Sequence, residues 1–202
     1  MIIGLGYRAR SGKDTVAQML VSNFGFQRAA FADTLKQACA SVFGFTESQL
    51  NGELKEVTDG YWSDVLGAPT TPRKILQLVG TEAFRTAIHQ DIWVHSLHRR
   101  ILTEDKPHWV ITDMRFLNEV EAVKKWGGFA VRIDRPGAYK PKMLTKSYLF
   151  GLIKRQVPHA SESSLDGFEG WDGTLLNDST LDDLERKVTT MYEKFMYGGH
   201  RG

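Results

Sequence analysis

Among 202 residues there is a single cysteine, Cys39. That excludes an intramolecular disulfide framework and any zinc site built on several thiolates. Cys39 lies in the helical pattern "LKQACASVF", the setting of a small buried residue rather than of a nucleophile. No apolar run approaches the ~20 residues needed to cross a bilayer. The opening "MIIGLGY" is too short and too glycine-rich for a cleavable leader. Nor does one charge dominate. The 26 Lys and Arg against 24 Asp and Glu leave a formal +2, which makes no general electrostatic case for binding nucleic acid, although a local basic patch stays open. The expectation is a soluble, cytoplasmic protein with no membrane partner.

What is present is an ordinary globular composition, 42% hydrophobic and 25% charged, with length for one domain over 1–202. Strand and helix signals alternate. "MIIGLG" reads as a short buried parallel strand, and Val16, Met19, Leu20 and Phe24 recur at helical spacing behind it. "FQRAAF" reads as a second strand, with Asp33 capping a helix that runs through Phe43. The stretch 44–71 looks like an irregular surface excursion. Pro72 suits the first turn of a helix carrying Ile75, Leu76, Leu78, Val79 and Phe84, and another helix begins near Asp91. "HWVITD" and "FAVRID" are strands around the helix "EVEAVKKW". The segment 138–173 lacks a sustained core pattern and reads as a lid. "TLLND" is a last strand, "TLDDLERKVTTMYEKF" a last amphipathic helix, and "GGHRG" a frayed tail. No internal repeat is present. The pattern predicts an α/β fold, a parallel sheet flanked by helices in three layers.

The stretch "GYRARSGKDT" carries the chemistry. Backbone N–H groups of a strand-to-helix loop, together with the helix N-terminus, attract anionic oxygens. Gly12 permits close backbone approach, Lys13 supplies a mobile charge for a transferred phosphate, and Thr15 supplies a hydroxyl. Arg8 and Arg10 add positive charge. The loop is irregular, however. Five residues separate Gly6 from Gly12, the usual first-glycine position falls on Tyr7, and Asp14 stands where a metal-binding hydroxyl belongs. Tyr7 must adopt whatever backbone angles that glycine normally takes. A carboxylate at Asp14 can bind a cation directly or through water, or favour the helix dipole as a cap. The competing reading is a plain glycine-containing turn.

Further along, Asp113 ends an apolar strand, where ligands of open α/β sheets gather. Arg115 and Glu119 follow, spaced four apart, which also suits a plain helix-surface ion pair. Arg73 and Trp93 have the chemistry for an acceptor's phosphate and base, since guanidinium binds phosphate bidentately and indole stacks. Taken alone, such residues are more often a salt-bridging arginine and a core tryptophan. Lys140, Lys142, Lys146, Lys154 and Arg155 make the lid-like segment basic, either as a solvated surface or as a closure over phosphates. The six histidines show no metal-ligand spacing. His95 and His98 are three apart, but Arg99 and Arg100 beside them make a poor cation site. No Ser-His-Asp arrangement is evident.

In order, "RSGKDT", "LQLVGTEAF", "DIWV", "WVITDMRFLNEVEAVKKWGG", "VRIDRPG", "HASES" and "LLNDSTLDDL" resemble the phage deoxynucleoside monophosphate kinases. The resemblance covers nearly the whole chain except 44–71. It implies a P-loop fold of the NMP-kinase type with a lid segment, and transfer of the γ-phosphate of ATP to a dNMP. It further implies that Ser11, Gly12, Lys13, Asp14 and Thr15 hold the ATP phosphates, with Asp14 and Thr15 toward magnesium (Mg2+). Lys36, Arg73, Gly80, Thr81, Trp93, Asp113, Arg115 and Glu119 would form the deoxynucleotide pocket. Arg135, Asn177 and Asp178 would lie near adenine. Lys13, Arg10 and Asp113 are the residues expected to carry catalysis. The family accepts Asp after the loop lysine, whereas Tyr7 departs from its more usual glycine. The implied partners are small nucleotides, ATP and dNMP, in the host cytoplasm if the protein is phage-encoded; a homodimer stays open, and nucleic acid is not expected.

Competing readings are another small-metabolite P-loop kinase, resembling phosphomevalonate or dephospho-coenzyme A kinase, and a nucleotide-binding accessory protein. "LLNDST" lacks the lysine of the base-reading motif expected of a GTPase.

Overall fold

The computed structural model describes residues 1–8, 10–137 and 164–198. The chain folds as two compact units, Met1–Ala29 with Lys106–Gly202, and Ala30–Asp105.

The first unit carries the whole sheet: β1 (Ile2–Gly6), β2 (Gln27–Ala29), β3 (Trp109–Met114), β4 (Phe129–Asp134) and β5 (Gly173–Leu176). The strands pair in the order β2-β3-β1-β4-β5, and every pairing is parallel. Alternation along β1 explains the layering. Ile3 and Leu5 point into a core shared with Val16, Ala17 and Leu20 of α1 (Lys13–Phe24) and Leu184, Val188, Met191 and Phe195 of α8 (Leu181–Tyr197). Gly4 faces the other way, toward Met114 and toward Val123 of α7 (Leu117–Lys125). Three layers result, as the alternation of elements predicts.

The parallel register brings the carboxyl ends of the central strands to one edge, with Gly6 opposite Met114 and Arg132, and Asp134 opposite Leu176. The loops after β1, β3, β4 and β5 therefore gather there, which is where ligands of such sheets bind.

The second unit is helical among the described residues. It holds α2 (Asp33–Phe43), α3 (Glu47–Leu50), a 3-10 turn (Glu53–Glu56), α4 (Gly60–Leu66), α5 (Pro72–Gln77), a π-helical segment (Leu78–Thr86) that continues α5, and α6 (Ile92–Thr103). Cys39, Phe45, Leu50, Ile75 and Leu76 form its core, so Cys39 is buried as its helical setting predicts.

Two expectations need correction here. The stretch 44–71 is organised rather than irregular, because local caps nucleate its short helices. The Thr46 N–H donates to Gln49 Oε1 at 2.9 Å, and Asp59 Oδ1 accepts from the Trp62 N–H at 3.1 Å. Asp33 is the first helical residue of α2 rather than its cap; its Oδ2 accepts from the Ala30 N–H at 2.8 Å and from Arg100 Nη1 at 3.2 Å. The basic residues from Lys140 to Arg155, and "HASES", lie outside the described residues. Among the described residues no helix is long and apolar enough to cross a membrane.

Candidate functional site

The site in the sheet-bearing unit is built on the loop between β1 and α1. Among the described residues of this turn, Tyr7 takes φ 92°, Arg10 61° and Gly12 98°. Left-handed angles at non-glycine residues cost energy and gather at functional sites. Tyr7 does adopt the conformation that glycine would supply, and its ring is held. The Arg132 guanidinium stands 3.9 Å from the ring centroid, a cation–π distance, and is itself anchored on Asp134 Oδ2 at 2.6 Å.

Lys13, at the start of α1, turns back across the loop. Its Nζ donates to the Arg8 carbonyl at 2.5 Å and lies 3.4 Å from Ser11 Oγ. Burial pulls its pKa down to about 8, and the nearby Arg115 guanidinium pulls the same way, while Asp14 and Asp113 oppose. The ammonium is thus a poorly solvated charge resting on weak acceptors, an arrangement suited to exchange for phosphate oxygens. Asn177, after β5, fixes the far side of the loop. Its backbone N–H donates to Asp134 O at 2.7 Å and its Nδ2 to Ser11 O at 3.0 Å. Any Cβ on Gly12 would collide with that same Nδ2.

Asp113 and Arg115 sit at the end of β3, and both act electrostatically on Lys13. Glu119 is 3% exposed, and its Oε2 accepts from the backbone N–H groups of Arg115 at 2.7 Å and Phe116 at 3.1 Å. Glu119 thereby positions the β3–α7 turn instead of forming the surface pair with Arg115 that the spacing allows. Asp14 is 82% exposed and paired with Arg28 of β2 at 2.6 Å. Asp178 accepts from Lys187 of α8 at 3.0 Å, and Arg135 is exposed past the end of β4. Thr15 offers a hydroxyl and Asp14 and Asp113 offer carboxylates, oxygen ligands of the type that hard cations such as Mg2+ take.

The remaining marked residues belong to the helical unit. Trp93 is 5% exposed. Its indole N–H donates to Gly80 O at 2.9 Å, and its ring packs on Phe84 at 5.1 Å, the surroundings of a core tryptophan rather than of an open stacking surface. Gly80 is buried, and a Cβ there would come within 2.7 Å of Leu35 Cδ2. It lies with exposed Thr81 in the π-helical segment, a winding frequent at functional sites. Arg73 pairs with Glu56, and Lys36 is half-buried on α2.

Sequence reasoning missed Arg28 and Arg132, and it missed Ser164 and Asp166. Ser164 Oγ donates to Arg115 O at 2.6 Å, and Asp166 pairs with Arg8 at 3.3 Å. An arginine inside the apolar run "FAVRID" was the available signal for Arg132. Nothing local marks the other three.

No family model matches the chain. A protein of Acanthamoeba polyphaga mimivirus, provisionally named deoxynucleotide monophosphate kinase, is 34% identical over 201 residues, covering 93% of this chain and 94% of that one. The chain belongs to the deoxynucleotide monophosphate kinase family. Members of the family include the deoxynucleoside-5'-monophosphate kinase of Escherichia phage T5, 44% identical over 77 residues, which cover 38% of this chain and 28% of that protein. The fold is also that of the shikimate kinase from Aquifex aeolicus, with a TM-score of 0.51 at 12% identity over 98% of this chain and 100% of the other. In this kinase family member, the parallel sheet and the loop at its carboxyl edge are those of a P-loop kinase.

Proposed function

We propose that this chain transfers the γ-phosphate of ATP to a deoxynucleoside monophosphate, releasing the diphosphate and ADP. The observation that carries this reading is Lys13, which spans the loop with its ammonium on the Arg8 carbonyl in a chain matched over 93% of its length by a kinase-named relative.

Phosphate oxygens of ATP replace Arg8 O and Ser11 Oγ as acceptors for Lys13, and the loop N–H groups and the start of α1 take the rest. An oxygen of the acceptor's phosphate then forms a bond to the γ-phosphorus as the bond to the β-phosphate oxygen breaks, and that oxygen leaves on ADP. The acceptor oxygen is already ionised, so no general base is required. Lys13 and Arg10 stabilise the charge spread over the moving group. Thr15 and Asp14 would hold Mg2+, which supplies further charge neutralisation when bound.

Asp113 and Arg115 face the acceptor in this reading. Within the helical unit, the family resemblance assigns Lys36, Arg73, Gly80 and Thr81 to nucleotide binding, with Trp93 buried in that unit's core. Arg135 lies toward adenine, while Asn177 and Asp178 brace the phosphate and adenine loops.

A coupled assay of ADP release with dNMPs, NMPs and phosphomevalonate tests the proposal. Turnover with dNMPs is expected, and Lys13→Ala should lower kcat by about a thousandfold. Turnover with phosphomevalonate alone, or a Lys13→Ala protein of near-normal rate, would sink it.

A further inference from the structure

The helical unit contains a cluster that the kinase chemistry does not use. His89, Asp91 and His95 each offer a ligand atom, and these atoms all lie within 4.8 Å of one another. The closeness is built locally. Asp91 immediately precedes α6 and His95 lies one turn further, its N–H donating to Asp91 O at 2.9 Å. Spacing of i, i+4 puts their side chains on one face. His89 is brought beside them by the turn before α6, in which the Ile92 N–H donates to His89 O at 3.0 Å. The two imidazoles meet edge to face, 5.2 Å between centroids. Both histidines are exposed and Asp91 is half-buried, so a cation reaches the cluster from solvent.

Two imidazoles with one carboxylate form a donor set for borderline transition ions; Mg2+ and Ca2+ take oxygen ligands instead. Three protein ligands leave a fourth tetrahedral position for water. We infer that His89, Asp91 and His95 bind one divalent transition cation of the Zn2+ class. Bonds of ~2.0–2.1 Å to a tetrahedral ion place ligand atoms roughly 3.3 Å apart, so the cluster must contract. Exposed side chains on a turn can do this by rotamer change.

One hydrogen bond reports the event. The Asp91 N–H donates to His89 Nδ1 at 3.0 Å, which makes Nδ1 the acceptor and places the neutral ring's proton on Nε2. A cation at Nδ1 takes the lone pair that accepts this bond. A cation at Nε2 sends the ring proton to Nδ1 and sets two donors face to face. Either way the bond from the Asp91 amide to His89 breaks, and the turn becomes tied by metal bonds instead. The site thereby links the end of the π-helical segment, which carries Gly80 and Thr81, to the start of α6, which carries Trp93.

The test is calorimetric titration of ZnCl2 into the untagged full-length protein without nucleotide, with the amide resonances followed by NMR. One saturable site is expected, with a marked shift of the Asp91 amide and visible d–d absorption of a tetrahedral ion when Co2+ replaces Zn2+. His89→Ala and His95→Gln should each weaken binding at least about tenfold, with the circular dichroism of the folded protein retained because both side chains are exposed. Absence of saturable binding, or undiminished binding in the double variant, would overturn the inference. Because no nucleotide or turnover enters the measurement, its failure leaves the kinase reading untouched.

Discussion

In the loop 7–12 the polar groups hold one another through contacts that ligand oxygens can replace, whereas in the helical segment 78–93 the marked residues are held by packing. Lys13 rests on the Arg8 carbonyl and Asn177 on the Ser11 carbonyl. Gly80 is pressed against Leu35, and Trp93 is buried with its N–H given to Gly80. Both stretches contribute to the family resemblance, but for different physical reasons. The first is recognisable by polar side chains held on backbone carbonyls at the end of a strand. The second is recognisable because an indole and a missing side chain fit together in a core, and that fit sets the positions of neighbours such as exposed Thr81.

The largest effect that separates the two regions is expected from glycine-to-alanine changes. Gly12→Ala must hold alanine at φ 98° and displace Asn177, a strain of about 1–3 kcal/mol before the loop itself shifts. The KM for ATP should rise at least tenfold or so. Gly80→Ala should instead lower Tm, because Leu35 must yield, while the KM for ATP stays put. Equal effects of the two substitutions on ATP would erase the distinction.

Next in size is Trp93→Phe. It removes the indole N–H bond to the Gly80 carbonyl, at a cost of about 0.5–1.5 kcal/mol in stability. Denaturant unfolding should show this loss at constant m. An unchanged stability with a raised KM for the acceptor nucleotide would return Trp93 to the role of a base-stacking surface.

The smallest effect concerns pH. Lys13 is a base whose folded pKa is lowered, to about 8, so its charged form is disfavoured by the fold. Its contribution to stability therefore rises as pH climbs from about 8 toward its ordinary value of 10.5. ATP binding runs the other way. Affinity should be greatest below about pH 8 and decline above it, as the ammonium loses its proton. Removing the Arg115 charge should move that decline to higher pH, measurable by titrating nucleotide at a series of pH values; a decline that stays in place would remove Arg115 from the surroundings of Lys13.

Much of this is legible in the residue order alone. The alternation of apolar runs at period two and at helical period specified the strands and the major helices, because burial of one face is a local demand on spacing. "SGKDT" between a strand and a helix marked the phosphate loop, since few residue types tolerate its backbone and supply its charge. The short helices of 44–71 escaped notice because caps such as Thr46 and Asp59, rather than apolar period, define them. The histidine cluster escaped notice for a related reason: His89 reaches it from a turn, outside the helical spacing that relates His95 to His98.

Residue order and spacing were enough for the layered α/β fold, the place of the loop, and the need for Tyr7 to stand in glycine's position. How that need is met was settled by packing in three dimensions. Arg132, 125 residues further on, stacks on the ring, and Asn177 secures the loop that Tyr7 opens. That packing also decided that Glu119 caps a turn, that Asp14 pairs with Arg28, and that Trp93 is core. The reason is distance along the chain. Propensity and period act among near neighbours, while the partners of a loop on a parallel sheet arrive from strand ends far apart in sequence and meet only when the register brings them to one edge.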